Sequence, residues 1–287
     1  PETTLSWTPG LGAKLHHLYF GESFDDVNAG APNTYKGPVP DTSYSPGTLA
    51  IDKDYYWRID EFSLTGTATG DVWSFRTIPE IPVTNPNLIG WWKIDAGKGL
   101  RIIDWSGNDN HGSMEDNPQW SEGFDGVGLE FDGTNSVGFS GTDMIGSDIG
   151  SVSLWIKTTQ AGVGMIFYGS ASSGDGFGDQ DELHVNMMAD GRVQFYIEGG
   201  DTDVNIEAAA VNDDAWHHIT ATWDINADAK LFVDGSNPIS VPHTGNSFTL
   251  SGAIRLGQPA SRQRFYDGLI DDVRVYNYVL SPDDIAL

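Results

Sequence analysis

Cysteine is absent from the 287-residue chain. Disulfide bonds, thiolate metal sites and a cysteine nucleophile are therefore excluded. Long apolar runs are also missing, since no stretch approaches the ~18 residues that a membrane-spanning helix needs. The chain starts at Pro1 rather than at a methionine, so we expect a mature product or an excised piece of a longer protein.

Basic residues are scarce, with 15 Lys and Arg against 41 Asp and Glu and a formal net charge of −26. Nucleic acids and anionic lipid surfaces bind proteins largely through basic side chains that neutralise phosphates. A chain this acidic is repelled by both, so we expect neither a nucleic-acid nor a membrane partner.

Long helical periodicity is lacking as well. Glycine, aromatic residues and runs of Val, Ile and Thr recur with short polar gaps, which indicates an all-β protein. Pro79, Pro82 and Pro86 interrupt this pattern, and proline cannot donate to a sheet ladder. Domains usually run to ~100–200 residues. We therefore predict a small domain at 1–78, a stiff linker at 79–87 and a larger domain at 88–287.

The first domain has short alternating segments separated by turn signals. An early tryptophan, the segment Tyr55-Tyr-Trp-Arg-Ile59 and the closing segment Val72-Trp-Ser-Phe-Arg76 resemble a fibronectin type III domain. The resemblance implies a small immunoglobulin-like sandwich that acts as a spacer, with Trp57 and Trp73 in its core.

Seven ordered segments of the second domain resemble the signature of laminin G-like, concanavalin A-like jelly rolls, the LamG-like family. They are Leu88-Ile-Gly-Trp-Trp92, Asp104-Trp-Ser-Gly-Asn-Asp-Asn-His-Gly112, Gly128-Leu-Glu-Phe-Asp-Gly133, Ser151-Val-Ser-Leu-Trp-Ile156, Trp216-His-His-Ile-Thr-Ala-Thr-Trp-Asp224, Leu231-Phe-Val-Asp-Gly235 and Tyr266-Asp-Gly-Leu-Ile-Asp-Asp-Val-Arg-Val-Tyr-Asn277. The resemblance covers 88–287 and implies a β-sandwich of two stacked antiparallel sheets with one concave face.

The alternation in this domain also predicts which side chains face the core. Residues 183–187 and 193–197 alternate with period two, and Ala189-Asp-Gly191 joins them as a hairpin. The predicted core set is Leu183, Val185, Met187, Val193, Phe195 and Ile197. The predicted solvated set on the opposite face is His184, Asn186, Gln194, Tyr196 and Glu198.

The segment 104–112 concentrates the oxygen ligands that Ca²⁺ prefers. In LamG-like proteins the corresponding loop commonly holds a structural calcium ion together with an acid of the closing Ile-Asp-Asp-Val-Arg strand. The resemblance therefore assigns metal roles to Asp104, Asn108, Asn110, Asp271 and Asp272. The alternative is a turn whose side chains cap their own backbone. His111 is unsuited to Ca²⁺, so we expect it to pack or to cap.

Catalytic patterns are weak. Jelly-roll glycoside hydrolases need two carboxylates on one strand face, typically as Glu-x-Asp-x-x-Glu, and this string is absent. A lyase-like set exists in Tyr196, His184, Gln194 and Arg255, but the surrounding strings match no lyase family. We therefore expect no enzyme, and a lyase or hydrolase with an unfamiliar site stays as an alternative.

Residues 255–266 contain three arginines and no acid. Arginine forks bind carboxylate or sulfate, and tyrosine rings stack on apolar faces. Arg262, Gln263, Arg264 and Tyr266 therefore resemble a binding loop. The alternative is that these arginines neutralise the acidic loops at 175–214.

These features together predict a secreted, monomeric, lectin-like module of a bacterial protein that docks a polysaccharide, acidic or sulfated ones included. The rings of Tyr168, Tyr196 and Tyr266 would stack on sugars, and His184, Asn186 and Gln194 would bind hydroxyls. Acidic substituents would be bound by Arg255, Arg262 and Arg264. A protein-binding or adhesion module is the other alternative.

Overall fold

The structure of the protein is a computed structural model, which describes residues 3–64, 66–81, 85–139, 145, 148–170, 182–198, 203–244, 254–258 and 264–285. The chain divides into two compact units, Pro1–Glu80 and Ile81–Leu287. The division falls within the segment 79–87 that the sequence marks as a linker. No helix in the described ranges is long and apolar enough to cross a membrane.

The first unit is built from seven strands and one short helix. The elements are β1 (Leu5–Ser6), β2 (Leu15–Gly21), α1 (Phe24–Ala29), β3 (Tyr35–Val39), β4 (Ser43–Tyr44), β5 (Asp54–Ser63), β6 (Gly66–Ala68) and β7 (Val72–Arg76). Strands β3-β2-β5-β6 form an antiparallel sheet in which β7 also pairs with β5, while β1 and β4 form a second sheet of two short strands. Leu5, Phe20, Leu49 and Tyr55 make its apolar cluster.

One predicted core residue of this unit is not in the core. Trp57 is half-buried and packs against the apolar cluster. Trp73 lies opposite Trp57 in the strand register, but 62% of its surface is exposed. The prediction for Trp73 is therefore wrong. Its strand β7 pairs only with β5 among the described strands, and the facing sheet β1-β4 is only two residues long in each strand.

The second unit contains sixteen described strands and one short helix. They are β8 (Leu88–Trp92), β9 (Arg101–Ile102), β10 (Gly112–Glu115), β11 (Gln119–Glu122), β12 (Val127–Asp132), β13 (Ser136–Phe139), β14 (Ile149–Lys157), β15 (Gly164–Ser170), β16 (Glu182–Met187), β17 (Arg192–Glu198), β18 (Val204–Ala210), β19 (Trp216–Asp224), β20 (Asp228–Val233), β21 (Ile239–Pro242), β22 (Ile254–Leu256), β23 (Asp267–Tyr276) and α2 (Pro282–Ile285).

These strands form two antiparallel sheets. The first, called the polar sheet below, has the order β18-β17-β16-β15-β22-β13-β10-β9. The second, called the back sheet, has the order β11-β12-β23-β14-β19-β20-β21, and β8 also pairs with β23. The all-β prediction and the jelly-roll prediction are confirmed.

The core of the second unit consists of apolar side chains from both sheets. All six predicted core residues of the hairpin β16–β17 are at most 1% exposed, and Val152, Leu154 and Ile156 are fully buried. A one-residue slip of either strand would turn these side chains outward, so the apolar alternation sets the register. Gly90 leaves room for the Trp92 indole, which contacts Phe139 at 4.2 Å between ring centroids.

Candidate functional site

The polar sheet brings four of the predicted binding residues into one row. His184 on β16 lies opposite Tyr196 on β17 and opposite Tyr168 on β15. Tyr168 in turn lies opposite Arg255 on β22. In the neighbouring row Asn186 lies opposite Gln194. We call the face of the polar sheet that carries these residues the polar face.

The central part of the polar face is not solvated as the sequence suggested. Tyr168, His184 and Asn186 are at most 5% exposed, whereas Tyr196 and Gln194 on the next strand are half-buried. The expectation that His184 and Asn186 are wet is therefore wrong, although both lie on the predicted face. Tyr168 is enclosed, so its ring offers no open surface for stacking on a sugar.

Tyr196 is the aromatic residue of the row that solvent reaches. Its ring stacks on the His184 ring at 4.9 Å between centroids and 22° between planes. Its hydroxyl donates to Asp203 at 2.9 Å. Partial burial and this bond to Asp203 raise the pKa of Tyr196 above its usual value. The ring is therefore held in place and its hydroxyl stays protonated.

On strand β16 of the polar face, two oxygen atoms have no hydrogen-bond partner among the described residues. They are Oε2 of Glu182 and Oδ1 of Asn186, on side chains that are 2% and 3% exposed. The other carboxylate oxygen of Glu182 lies 3.5 Å from His184 Nδ1. An unpaired buried acceptor typically costs ~1–3 kcal/mol. The face therefore contains enclosed acceptors that a hydrogen-bond donor would satisfy.

Sequence analysis missed Glu182 as a member of this face. It lies one pleat before His184, directly opposite Glu198 on β17. The signal was present, because extending the alternation of β16 by two residues places Glu182 beside the predicted set.

Two arginines on the polar sheet, Arg255 and Arg192, already have carboxylate partners, whereas Arg101 on the terminal strand β9 is exposed. Arg255 Nη1 lies 2.6 Å from Oε2 of Glu115, and both side chains are largely buried. Arg192 bonds to Asp190 at 2.7 Å and also to Glu207. Charge-assisted pairs of this kind leave little free positive charge for an anionic ligand.

The predicted arginine-rich loop is only partly described. Arg262 and Gln263 lie outside the described residues, and Arg264 is exposed, with a left-handed φ of 59°. Tyr266 is fully buried, packs against Phe131 and donates its hydroxyl to Lys157 and Leu269 carbonyl oxygens at 3.3 Å each. Tyr266 is therefore a core residue, and its predicted stacking role is wrong.

The loop at 104–112 is held together by its own hydrogen bonds. The buried carboxylate of Asp104 accepts from Trp91 N, Ser106 N, Ser106 Oγ and Asn110 N at 2.8–3.0 Å. The amides of Asn108 and Asn110 donate to backbone carbonyls of β8. His111 Nδ1 accepts from Asp104 N at 3.0 Å, which confirms that it caps the loop.

The two acids of β23 are engaged in the same manner. Asp271 accepts from the backbone N–H groups of Phe124, Asp125 and Asp272 at 2.7–3.1 Å. Burial raises its pKa to about 6, against the effect of these three bonds. Asp272 accepts from the Trp91 indole at 2.7 Å and pairs with Arg274 at 2.6 Å.

These contacts do not fit a calcium ion at the predicted ligands. Every carboxylate oxygen of Asp104, Asp271 and Asp272 already accepts from a protein donor. Within the described ranges, no three His, Cys, Asp or Glu side chains are grouped as a metal site requires. The calcium assignment stays a prediction from the family resemblance.

The outer face of the back sheet holds a buried histidine. His218 Nε2 lies 2.7 Å from Ser153 Oγ, and its ring contacts Trp155 at 5.0 Å. Phe124 stacks on the same Trp155 ring, with 3.4 Å between the two ring centroids. Burial, with a further contribution from Arg274, lowers the pKa of His218 to about 4. The imidazole is therefore neutral near pH 7.

Comparison with protein families gives a match to the model described as the concanavalin A-like lectin/glucanases superfamily. The match covers residues 131–286, just over half of the chain and within the second unit. It includes β14 to β23, which supply both layers of the sandwich.

Individual relatives are distant. A rat (Rattus norvegicus) protein containing sushi, von Willebrand factor type A, EGF and pentraxin domains is 26% identical over 172 residues, which cover 56% of this chain and 5% of that protein. The chain thus spans a small fraction of that curated relative.

Two solved structures share the fold. The binding domain of Paraclostridial Mosquitocidal Protein 1 has a TM-score of 0.57 and 15% identity over 69% of this chain and 51% of that one. Domain 4 of AbnA, an extracellular arabinanase from Geobacillus stearothermophilus in complex with arabinotriose, has a TM-score of 0.54 and 20% identity. That match covers 69% of this chain and 96% of that domain.

Proposed function

The chain belongs to the concanavalin A-like lectin/glucanases superfamily, and we propose that it is a non-catalytic carbohydrate-binding module. The ligand is a neutral, hydroxyl-rich polysaccharide held on the polar face of the second unit. The observation that carries this proposal is the pair of unpartnered buried acceptors, Glu182 Oε2 and Asn186 Oδ1, in the strand beside Tyr196.

Sugar hydroxyl groups complement these acceptors. A carboxylate oxygen only accepts hydrogen bonds, and a hydroxyl is the donor that a neutral sugar presents. Because Glu182 and Asn186 are enclosed, a hydroxyl that reaches them must enter the face rather than rest on it. The half-buried ring of Tyr196 supplies an apolar surface next to them, on which a sugar ring can pack.

Charge on the polar face favours a neutral ligand over an acidic one. Arg255 and Arg192 are paired with carboxylates, and Glu182 adds a further carboxyl group, whose Oε2 has no partner among the described residues. A uronic or sulfated chain would meet repulsion there. The AbnA domain, whose structure is a complex with arabinotriose, supports an oligosaccharide as the class of ligand.

We propose binding without cleavage, although Glu182 and Glu198 lie opposite each other. Glycoside hydrolysis requires both carboxyl groups to flank one glycosidic bond, and the Glu-x-Asp-x-x-Glu string that places such a pair on one strand face is absent. Lyase chemistry on Tyr196 would need a base, and the raised pKa of this hydroxyl opposes its deprotonation. The proposal includes an extracellular location, where such polysaccharides occur.

Retention on gels that contain a polysaccharide tests the proposal. The panel contains arabinan, xylan and β-glucan as neutral polymers and alginate and chondroitin sulfate as acidic ones. We expect retardation by at least one neutral polymer, which is weakened in Tyr196→Ala but not in Tyr196→Phe, which keeps the ring. Ser240→Ala, an exposed position on β21 of the back sheet, is the control.

No retention on any polymer, or equal retention of Tyr196→Ala, would refute the proposal. Catalysis is tested on the same samples after long incubation by measuring new reducing ends and unsaturated ends. We expect neither. Product formation that disappears in Glu182→Gln would instead identify an enzyme.

A further inference from the structure

The first unit contains a groove with a volume of about 590 Å³. Three indole rings line it, those of Trp7, Trp57 and Trp73. Their centroids follow one another at 6.1 and 6.2 Å, with planes tilted by 50° and 31°. The groove lies on the inner face of the five-stranded sheet, where the two-residue strands β1 and β4 leave that face uncovered.

The groove has fixed walls. Trp57 and Trp73 are cross-strand neighbours on β5 and β7. On the other face of β5, the buried pair Arg58–Asp60, 2.9 Å apart, anchors this strand, and Asp60 also accepts from Gly70 N. A side chain at position 70 would collide with the Ile59 carbonyl oxygen at 2.2 Å. The close approach of Gly70 therefore holds the segment that carries Trp73 against the sheet.

The polar side chains of the groove are mostly acceptors. Glu61 lines it and bonds to His16 at 2.7 Å. Asp71 also lines it and is exposed. Lys and Arg are absent from the residues that line the groove, all of which lie in described ranges. An anionic ligand is therefore disfavoured, and a ligand with hydroxyl donors is favoured.

From the tryptophan row and the two carboxylates we propose that this groove is a second carbohydrate-binding site, which takes an uncharged sugar chain. Sugar rings pack their apolar C–H faces on Trp57 and Trp73, and their hydroxyls donate to Glu61 and Asp71. The first unit is thus a binding module rather than a spacer. A polysaccharide that is bound by both units of one protein molecule would be held with avidity.

Two other occupants of aromatic grooves fit less well. A proline-rich peptide presents carbonyl oxygens and few N–H groups, which do not complement carboxylates. A compact quaternary ammonium group is bound by rings that surround it, whereas these three rings follow one another in a row along the groove, with successive centroids 6.1 and 6.2 Å apart. A longer ligand lying across the rings matches that arrangement.

Titration of the full chain with neutral oligosaccharides tests this site. The probes are arabinohexaose, xylohexaose, cellohexaose and mannohexaose, with decaproline and tetramethylammonium as competing classes. Calorimetry and tryptophan fluorescence are the readouts. To separate this site from the polar face, all titrations are repeated in Tyr196→Ala.

We expect at least one hexasaccharide to bind Tyr196→Ala, and to bind it about tenfold more weakly after Trp73→Ala is added. Glu61→Gln should weaken binding while the fold is kept. Phe62→Ala is the matched control, because Phe62 is an exposed aromatic residue on the opposite face of β5. Melting curves of Trp73→Ala should match the wild type, since the side chain is largely exposed.

Several outcomes would overturn the proposal. One is that no hexasaccharide binds Tyr196→Ala, and another is that Trp73→Ala leaves the affinity unchanged. Binding of decaproline or tetramethylammonium that depends on Trp73, without sugar binding, would assign the groove to that class instead. None of these results bears on the polar face, which is tested by the variants of Tyr196 and Asn186.

Discussion

Arg255 and Glu115 form a close ion pair, with 2.6 Å between Nη1 and Oε2, on neighbouring parts of the polar sheet. The arginine that the sequence suggested for binding acidic substituents is thus already neutralised. Its partner could not be named from the sequence, because 140 residues separate the two. This pair is the main reason for favouring a neutral ligand.

Polysaccharide binding should therefore be insensitive to salt. Raising NaCl from about 0.05 M to about 0.5 M shortens the range of charge interactions from roughly 14 Å to roughly 4 Å. For a neutral ligand we expect the dissociation constant, measured by calorimetry with the retained polymer, to change less than about twofold.

A charged ligand would behave differently under the same change. A fall in affinity of tenfold or more at high salt, together with a preference for alginate or chondroitin sulfate, would show that free cations bind the ligand. Arg255→Met would then lower the affinity, whereas for a neutral ligand we expect it to act only through the stability of the sheet.

The free energy of unfolding should depend on pH through the titration of His218. The pKa of His218 is lowered to about 4 in the folded protein. Its contribution to the free energy of unfolding is therefore fully present above its usual pKa of 6.5 and is lost as pH falls toward 4. The loss from this group should be roughly 3 kcal/mol. Burial is the main cause of the lowered pKa, to which the charge of Arg274 adds, while the smaller contributions of Asp272 and Asp234 oppose it.

Urea unfolding of wild type and His218→Gln at about pH 7 and about pH 4 measures this contribution. We expect the variant to lose less stability than the wild type on acidification. Asp271 acts in the opposite direction, because its raised pKa stabilises the fold at low pH and this contribution is lost as pH rises through about 6. It is present in both proteins and cancels in the comparison. Parallel curves would contradict the buried, neutral state of His218.

Chelation should leave the melting temperature unchanged. The carboxylates of Asp104, Asp271 and Asp272 accept from protein donors, so no ligand set stands ready for an ion. We expect calorimetric scans with EDTA and with added Ca²⁺ to agree within about 1 °C. A clear rise with Ca²⁺ that is lost in Asp104→Asn would restore the calcium assignment.

Sequence alternation predicted the strands and the buried face because both are local properties. Six core residues of β16 and β17 follow from period two alone. Whether the face of a strand is covered depends on segments that are distant in the sequence. His184 and Asn186 share the face of Tyr196 but are enclosed, and alternation cannot distinguish an open face from a covered one.

The errors at Tyr266 and Trp73 have the same origin. Tyr266 follows an arginine-rich segment, yet its ring reaches Phe131 on another strand. Trp73 has the alternation of a core residue, yet the sheet that should cover it is too short. Both outcomes depend on contacts between residues far apart in sequence, which composition and spacing do not encode.

The most direct test of the polar-face site is Asn186→Ala. This change removes a buried acceptor that has no partner among the described residues, and with it the amide group that donates to the Met187 carbonyl at 3.1 Å. Because these two losses have opposite effects on stability, we predict a free energy of unfolding within about 1 kcal/mol of the wild type. At the same time we predict at least a tenfold loss of affinity for the retained neutral polysaccharide in calorimetry. Unchanged affinity in a variant that folds normally would contradict carbohydrate binding at this face.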